Sequence, residues 1–349
     1  MYKGDECMKA MVLRKICNFD ETMEPLELAD VPVPSLTEKD ILIKITACGI
    51  CHTELDEIEG RTPPTKFPVI PGHQIVGTVE KTGARAGRFK PGERVGVAWI
   101  ASSCGRCRFC IQGEENLCED FKATGRDTDG GYAEYAAVAE DYAYSIPDIF
   151  PDTEAAPLLC AGAIGYRSLR LTGLRDGEKL GLMGFGSSAH IVMKLAKHMY
   201  PHSSIFVFSR TKRERDFAQM LGAAWSGDIG EDAPERLHKI IDTTPVWLAV
   251  LESMKNLEKG GRLVINAIRK EGKDKQALLE LDYTRHIWLE KEMKSVANIT
   301  RRDVGEFLDM AAKIPLRAEI EEFRLEDANK ALRELRERKI RGAKVLRIG

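Results

Sequence analysis

Residues 178–201 read "EKLGLMGFGSSAHIVMKLAKHMYP". A short apolar run ends at Met183, a turn follows at Gly184-x-Gly186, and beyond it Ile191, Val192, Leu195 and Met199 recur at helical spacing. The succession strand, glycine turn, helix matches G-x-G-x-x-A with Ala189 in the last place, a variant that the dinucleotide fingerprint allows. Gly184 permits the turn and Gly186 lets a pyrophosphate approach the backbone, while the helix start at Ser187 and Ser188 offers amide donors and a favourable dipole. A glycine triplet alone is a weak signal. In this setting it predicts a doubly wound parallel sheet.

The segment that follows, "SSIFVFSRTKRERDFAQMLGAAW" (203–225), predicts the next strand and helix and bears on the choice of cofactor. An acidic residue at the strand end holds the ribose 2'-hydroxyl of NAD, whereas an arginine accommodates the 2'-phosphate of NADP. Here the run is Ser209-Arg210-Thr211-Lys212-Arg213, with no carboxylate until Glu214. Ser209 can donate a hydrogen bond and Arg210 a charge-assisted pair, so NADP(H) is expected over NAD(H); Lys212 and Arg213 can equally face water. Farther on, "LHKIIDTTPVWLAVLESMKNLEKGGRLVINAI" (237–268) alternates strand, helix, a Lys-Gly-Gly turn and strand, and "EKEMKSVANIT" (290–300) supplies a last strand.

A chain of 349 residues suits two domains, and its 43% hydrophobic and 30% charged composition with net charge −2 is that of a globular protein with no basic excess for nucleic acid. The N-terminus "MYKGDECMKAMVLRKIC" is charged throughout and lacks a signal-peptide core, and no stretch is long and apolar enough to span a bilayer, so a cytoplasmic location is expected. Asn298-Ile299-Thr300 fits a glycosylation pattern that has no use there. Nine cysteines in such a chain point to metal rather than to disulfides.

Four of them lie in "CGRCRFCIQGEENLC" (104–118): Cys104, Cys107, Cys110 and Cys118, at C-x2-C-x2-C-x7-C. This spacing can deliver four thiolates to a tetrahedral ion, with Gly105 and Gly113 at the turns. Zinc is the first choice. An iron–sulfur cluster shares the opening steps, but the x7 interval and the absence of a following Cys-Pro speak against it, and uncoordinated thiols are the third reading. A closed four-thiolate site fastens a lobe and does no chemistry.

A catalytic zinc needs three protein ligands and an open position. "ACGICHTELDEIEG" (47–60), "FPVIPGHQIVGTVE" (67–80) and "EAAPLLCAGAIGYRSL" (154–169) offer Cys48, Cys51, His52, His73 and Cys160. Spacing alone does not select a trio, and singly each reads as well as a packing cysteine or a structural histidine. Together with "DGGYAEY" (129–135) and the four-cysteine lobe, however, these motifs stand in the order found in zinc-dependent alcohol dehydrogenases of the medium-chain dehydrogenase/reductase superfamily, which the chain resembles over nearly its whole length.

The resemblance implies a GroES-like all-β catalytic domain over residues 1–158, carrying the lobe, a Rossmann domain over 159–299, and a segment 300–349 that returns to the first domain. It implies two zinc ions, a catalytic one on Cys51, His73 and Cys160 and a structural one on Cys104, Cys107, Cys110 and Cys118. Thr53 matches the hydroxyl that begins the proton relay. His52 matches a position beside the cofactor pyrophosphate, although a partly exposed histidine without a role reads as well. Asp242 to Thr244 and Asn266 to Ile268 fall at strand ends next to the cofactor. Cys48, Cys7 and Cys17 are expected to pack in the core.

Two positions depart from the family pattern. Asp56 stands where a histidine commonly forms the outer member of the relay, so either its carboxylate or water is expected to pass the proton beyond Thr53, and Gln74 replaces the glutamate of Gly-His-Glu, removing a negative charge near the zinc. Trp99 falls where relatives place an aromatic wall of the substrate cleft, and reads equally as a core tryptophan. The expected activity is hydride transfer between a primary alcohol or its aldehyde and the nicotinamide, in a homodimer or homotetramer. A low-turnover nucleotide-binding redox sensor on the same scaffold is the alternative; retention of Cys51, His73, Cys160 and Thr53 weighs against it. In the tail, "LEDANKALRELRERK" (325–339) sets Leu325, Ala328, Leu332 and Leu335 on one helical face.

Overall fold

The glycine turn at Gly184 sits where the pattern places it, after a strand Lys179–Met183 and before a helix Ser187–Met199. In the computed structural model, which describes residues 6–19, 24–314, 316–317, 319–337 and 342–349, this strand is central in a six-stranded sheet. Ser204–Phe208 and then Trp225–Gly227 lie on one side of it; Leu237–Asp242, Leu257–Ile265 and Glu292–Ser295 lie on the other. Every pairing is parallel, so each connection must cross over, and the helices Ser187–Met199, Lys212–Met220 and Trp247–Asn256 provide such crossings. Ile191, Val192 and Leu195 are buried as their spacing predicts, together with Met193, whereas Met199 is half-buried at the helix end.

The Lys-Gly-Gly sequence differs from expectation. Helix Trp247–Asn256 passes directly into strand Leu257–Ile265, and Lys259-Gly260-Gly261 lies inside that strand rather than between elements. Its register against Leu237–Asp242 jumps between the pairs Leu237 with Leu257 and Lys239 with Arg262, so the extra residues form a bulge that absorbs the turn.

The chain divides into two compact units, one comprising Met1–Cys160 and Ile299–Gly349 and the other Ala161–Asn298. The first is built on a seven-stranded sheet whose long strand Asp40–Ile50 pairs antiparallel with Gln74–Thr82, Tyr135–Ala139 and Ala343–Arg347. Arg94–Val97 and Ala143–Ser145 extend it on one side and Ile320–Arg324 on the other. The tail therefore contributes two strands as well as helices. Leu325, Ala328, Leu332 and Leu335 are all buried, as the apolar face of 325–339 predicts, and helix Ala328–Arg336 carries the last three.

A two-stranded ribbon, Ile100–Ser102 with Lys122–Ala123, forms the base of the cysteine lobe. Glu115, buried within the lobe, accepts from the backbone amide of Arg301 at 2.7 Å at the start of helix Arg301–Lys313. This bond ties the lobe to the tail. Cys48 is fully buried and Cys17 packs against the core, but Cys7 is exposed: it opens strand Cys7–Leu13 on the outward phase of the alternation, which corrects its assignment to the core. Trp99 is buried in the core, its ring 5.2 Å from that of Phe121.

Truncating Leu332, which is fully buried, removes the central contact of the tail helix. Leu332→Ala is expected to cost about 2–5 kcal/mol, read as a fall in the urea midpoint. A change under about 0.5 kcal/mol would mean that the helix is not packed as described.

Candidate metal and cofactor site

Helix His52–Ile58 starts on a cysteine. Cys51 is its N-cap, its sulfur accepting from the Thr53 amide at 3.3 Å, while Glu54 reaches back to the Cys51 amide at 2.8 Å. The result is a capping box with a thiol in place of the usual hydroxyl. Its consequence is positional, because the Glu54 carboxylate also meets His73 Nδ1 at 2.6 Å, with both side chains buried. One carboxylate thus fixes the cysteine and the histidine together.

The His73 loop is shaped by its neighbours in sequence. At Gly72 φ is +99°, and a Cβ there would lie 2.4 Å from the Tyr132 ring, so only glycine fits. The "DGGY" segment runs against this loop: Gly130, Gly131 and Tyr132 donate their amides to the carbonyls of Ile70, Gly72 and Pro71 at 2.7, 2.8 and 3.0 Å. These bonds explain why the two distant motifs occur together. His73 Nε2 then faces Cys51 Sγ at 3.7 Å, and Cys160, between the short helix Ala156–Leu159 and the helix Ala161–Thr172, completes a trio whose ligand atoms all lie within 4.8 Å of one another. Around a tetrahedral zinc, ligand atoms stand about 3.5–3.8 Å apart. The trio fits such an ion.

The electrostatics point the same way. Contact with the Cys160 thiol, burial and the Glu54 charge push the Cys51 thiol well above its ordinary range. Burial draws His73 down, but Glu54 and Cys51 outweigh it and raise the imidazole. The Cys51 thiol and the His73 imidazole, raised in this way, hold protons that a divalent cation would displace. Burial, followed by Glu54, also holds Glu57 well above the usual carboxylate range. Gln74 is buried, and Gly49 opposite it in the register leaves room for its amide, since a Cβ there would fall 2.6 Å from Gln74 Oε1.

The remaining predicted positions are dispersed around this trio. Thr53 is half-buried beside Cys51, and His52 is exposed at the helix start. Asp56 is buried and paired with Arg61 at 2.5 Å. Glu54 and Glu57 were not among the predicted residues. For Glu54 the signal was legible as C-x-x-E ahead of a helix, while Glu57 gives only the weaker one of a second carboxylate a turn later.

In the lobe, Cys104, Cys107, Cys110 and Cys118 form the second cluster of potential ligands among the described residues. Cys107 Sγ and Cys104 Sγ lie 3.5 and 3.9 Å from Cys110 Sγ, far beyond a disulfide and close to the edge of a thiolate tetrahedron. The amides of Arg106 and Cys107 pull the Cys104 thiol down to about 6. Cys118 accepts from the Cys104 amide, yet burial and the neighbouring sulfurs push it up to about 11.

In the parallel-sheet unit, φ at Gly184 is +84°, and a Cβ would meet Thr243 Oγ1 and Thr244 Cγ2 at 2.9 Å. At Gly186, the N-cap of the helix, a Cβ would meet nothing within 4 Å, and the glycine itself offers no side-chain cap to the amides that follow. An open space over those amides fits a pyrophosphate. Ser188 is half-buried in that first turn, and Ser187 opens it. Ser209 is buried at the end of Ser204–Phe208 and Arg210 is exposed beyond it. At the neighbouring strand end, buried Asp242 accepts from Lys270 at 2.5 Å and from the Thr244 hydroxyl at 2.8 Å, tying two loops together.

Comparison with known proteins agrees with this architecture. The alcohol dehydrogenase GroES-like domain family matches residues 37–148. The probable alcohol dehydrogenase AdhA of Mycobacterium tuberculosis is 40% identical over 329 residues, covering 93% of each chain, and an alcohol dehydrogenase of Geobacillus stearothermophilus is 33% identical over 98% of this chain and 99% of its own. A solved structure of a cinnamyl alcohol dehydrogenase from Sorghum bicolor superimposes with TM-score 0.85 at 27% identity, over 98% of each chain. The chain belongs to the zinc-type medium-chain alcohol dehydrogenases, and is an oxidoreductase with a GroES-like domain and a Rossmann-like parallel sheet. No helix among the described residues is long and apolar enough to cross a membrane.

In metal-free protein at pH 7, a thiol titrating at about 6 is mostly thiolate, so Cys104 is expected to be the lobe cysteine alkylated fastest by iodoacetamide, with a rate falling as pH drops through 6. Peptide mass spectrometry at short times reads this. Equal labelling of Cys104 and Cys118 would contradict the thiolate assignment.

Proposed function

We propose that the chain is a zinc-dependent alcohol dehydrogenase that interconverts primary alcohols and aldehydes, aromatic ones included, with NADP(H) preferred. The observation that carries the proposal is the convergence of Cys51, His73 and Cys160, two of them held by Glu54. Bound there, zinc supplies Lewis acidity toward a carbonyl or alkoxide oxygen, and the nicotinamide supplies or accepts the hydride. Cys104, Cys107, Cys110 and Cys118 hold the second, structural ion.

The chain's own residues do the rest. Glu54 orients the imidazole so that Nδ1 bears the proton and Nε2 faces the metal. Thr53 Oγ1 takes the alcohol proton as it passes its own hydroxyl proton outward during oxidation, and the two transfers run in reverse during reduction. Because Asp56 is engaged by Arg61, the outer part of the proton path falls to water. Gly184, Gly186, Ser187 and Ser188 cradle the pyrophosphate, and the strand end at Ser209 receives the adenosine ribose, with exposed Arg210 drawing its 2'-phosphate. Aromatic aldehydes are favoured by the likeness to the Sorghum bicolor cinnamyl alcohol dehydrogenase.

Initial rates of NADPH and NADH oxidation on aliphatic and aromatic aldehydes, with zinc-replete protein, test this reading. Turnover favouring NADPH is expected, with Cys51→Ser reducing kcat/KM by a factor of about 10³ or more. Turnover favouring NADH would overturn the cofactor preference, and full activity in Cys51→Ser would overturn the metal assignment.

Glu54→Gln removes the charge that faces His73 and is expected to weaken zinc binding at that site by about 10–100-fold while the lobe keeps its ion. Chelator competition separates the two classes of zinc; equal affinities in variant and parent would contradict the orienting role.

A further inference from the structure

The run Ser209 to Arg213 holds no acid, but the fold brings one back. Glu214 accepts a hydrogen bond from Ser209 Oγ, at the carboxyl end of the strand Ser204–Phe208, where an open parallel sheet receives the adenosine ribose. Two details mark the contact as more than helix capping. Glu214 is the third residue of helix Lys212–Met220, and its amide donates to the Thr211 N-cap hydroxyl at 3.2 Å; in a capping box its carboxylate would return to the Thr211 amide, but here it turns to Ser209. Two of the nearby cations are also committed elsewhere: Lys212 pairs with Asp216 at 2.7 Å, and Arg215 binds the Ser209 carbonyl at 2.6 Å and Asp228 at 3.3 Å.

We propose that Glu214 is a cofactor-specificity residue, supplying from the helix the carboxylate that the strand end lacks. Held on Ser209, it accepts from a ribose 2'-hydroxyl and opposes a 2'-phosphate, against the attraction of Arg210. The Ser209 hydroxyl has one proton and donates it to Glu214, while the Ser209 amide is spent on the Gly227 carbonyl at 2.9 Å. A 2'-phosphate therefore finds no free donor on Ser209 unless Glu214 moves, and meets a like charge if it stays. The proposal rests on the Rossmann unit binding the cofactor as set out above. It adds that discrimination between the two cofactors is a balance between Arg210 and Glu214, with NAD(H) retained as a usable partner.

The test is calorimetric binding of 2',5'-ADP and of 5'-AMP to the zinc-replete parent, Glu214→Gln, Glu214→Ala and Arg210→Ala. Both Glu214 variants are expected to raise the affinity for 2',5'-ADP relative to 5'-AMP by about tenfold, an effect that shrinks as salt rises, and Arg210→Ala to shift the ratio the other way. An unchanged or lowered ratio in the Glu214 variants, or an equal shift for both ligands, would overturn the role of Glu214. A parent that binds 5'-AMP more tightly than 2',5'-ADP would instead overturn the NADP(H) preference; the ratio of variant to parent is a separate readout.

Discussion

The buried contact between Glu54 and His73 is the constraint on which the rest of the site depends. A carboxylate removed from water in this way is costly unless its oxygens are engaged, and breaking a buried pair by removing one partner costs on the order of 3–5 kcal/mol. Glu54 meets that requirement with an ion-pair contact to the His73 ring at 2.6 Å and a hydrogen bond from the Cys51 amide at 2.8 Å. The bond that starts a helix and the ion-pair contact that orients a ligand are therefore made by one side chain. Neither ligand can shift without disturbing the other.

This coupling accounts for the strictness of the surrounding sequence. The histidine must arrive beside a helix N-terminus, which demands the positive φ at Gly72 and the close passage of Gly130 beneath it. Cys160 must close the trio from the end of the first unit's continuous N-terminal portion. The lobe works on a different principle. Its four sulfurs come from one short stretch and need only local turns, and the body holds it through Glu115 and Arg301. One site is thus assembled by the fold, while the other assembles a piece of it.

That difference also explains what could be read from the sequence. Cys104 to Cys118 declare themselves by spacing because all four donors are local. Cys51, His73 and Cys160 are separated by long stretches, and only the co-occurrence of several motifs singled them out. Glu54 was legible in principle, since an acid three residues after an N-cap is a capping signal; a cysteine in the cap position disguised it. Glu214 was not legible as a partner of Ser209, because whether it turns to its own N-cap or to the strand end is decided by a side-chain torsion. The Lys-Gly-Gly bulge and the outward Cys7 are of the same kind: glycines mark a break without saying whether it falls between strands or inside one, and a residue at a strand tip follows the alternation rather than its own hydrophobicity.

X-ray absorption at the zinc edge, with the metal content of the same sample, tests the central claim most directly. Cys51, His73 and Cys160 on one ion and the four lobe cysteines on another give two zinc ions per chain and six sulfurs between them, hence an average of three sulfurs per zinc with the histidine nitrogen and a solvent oxygen in the remainder. One zinc per chain with four sulfurs and no nitrogen would mean that only the lobe binds metal, and that the contact between Glu54 and His73 serves the fold alone.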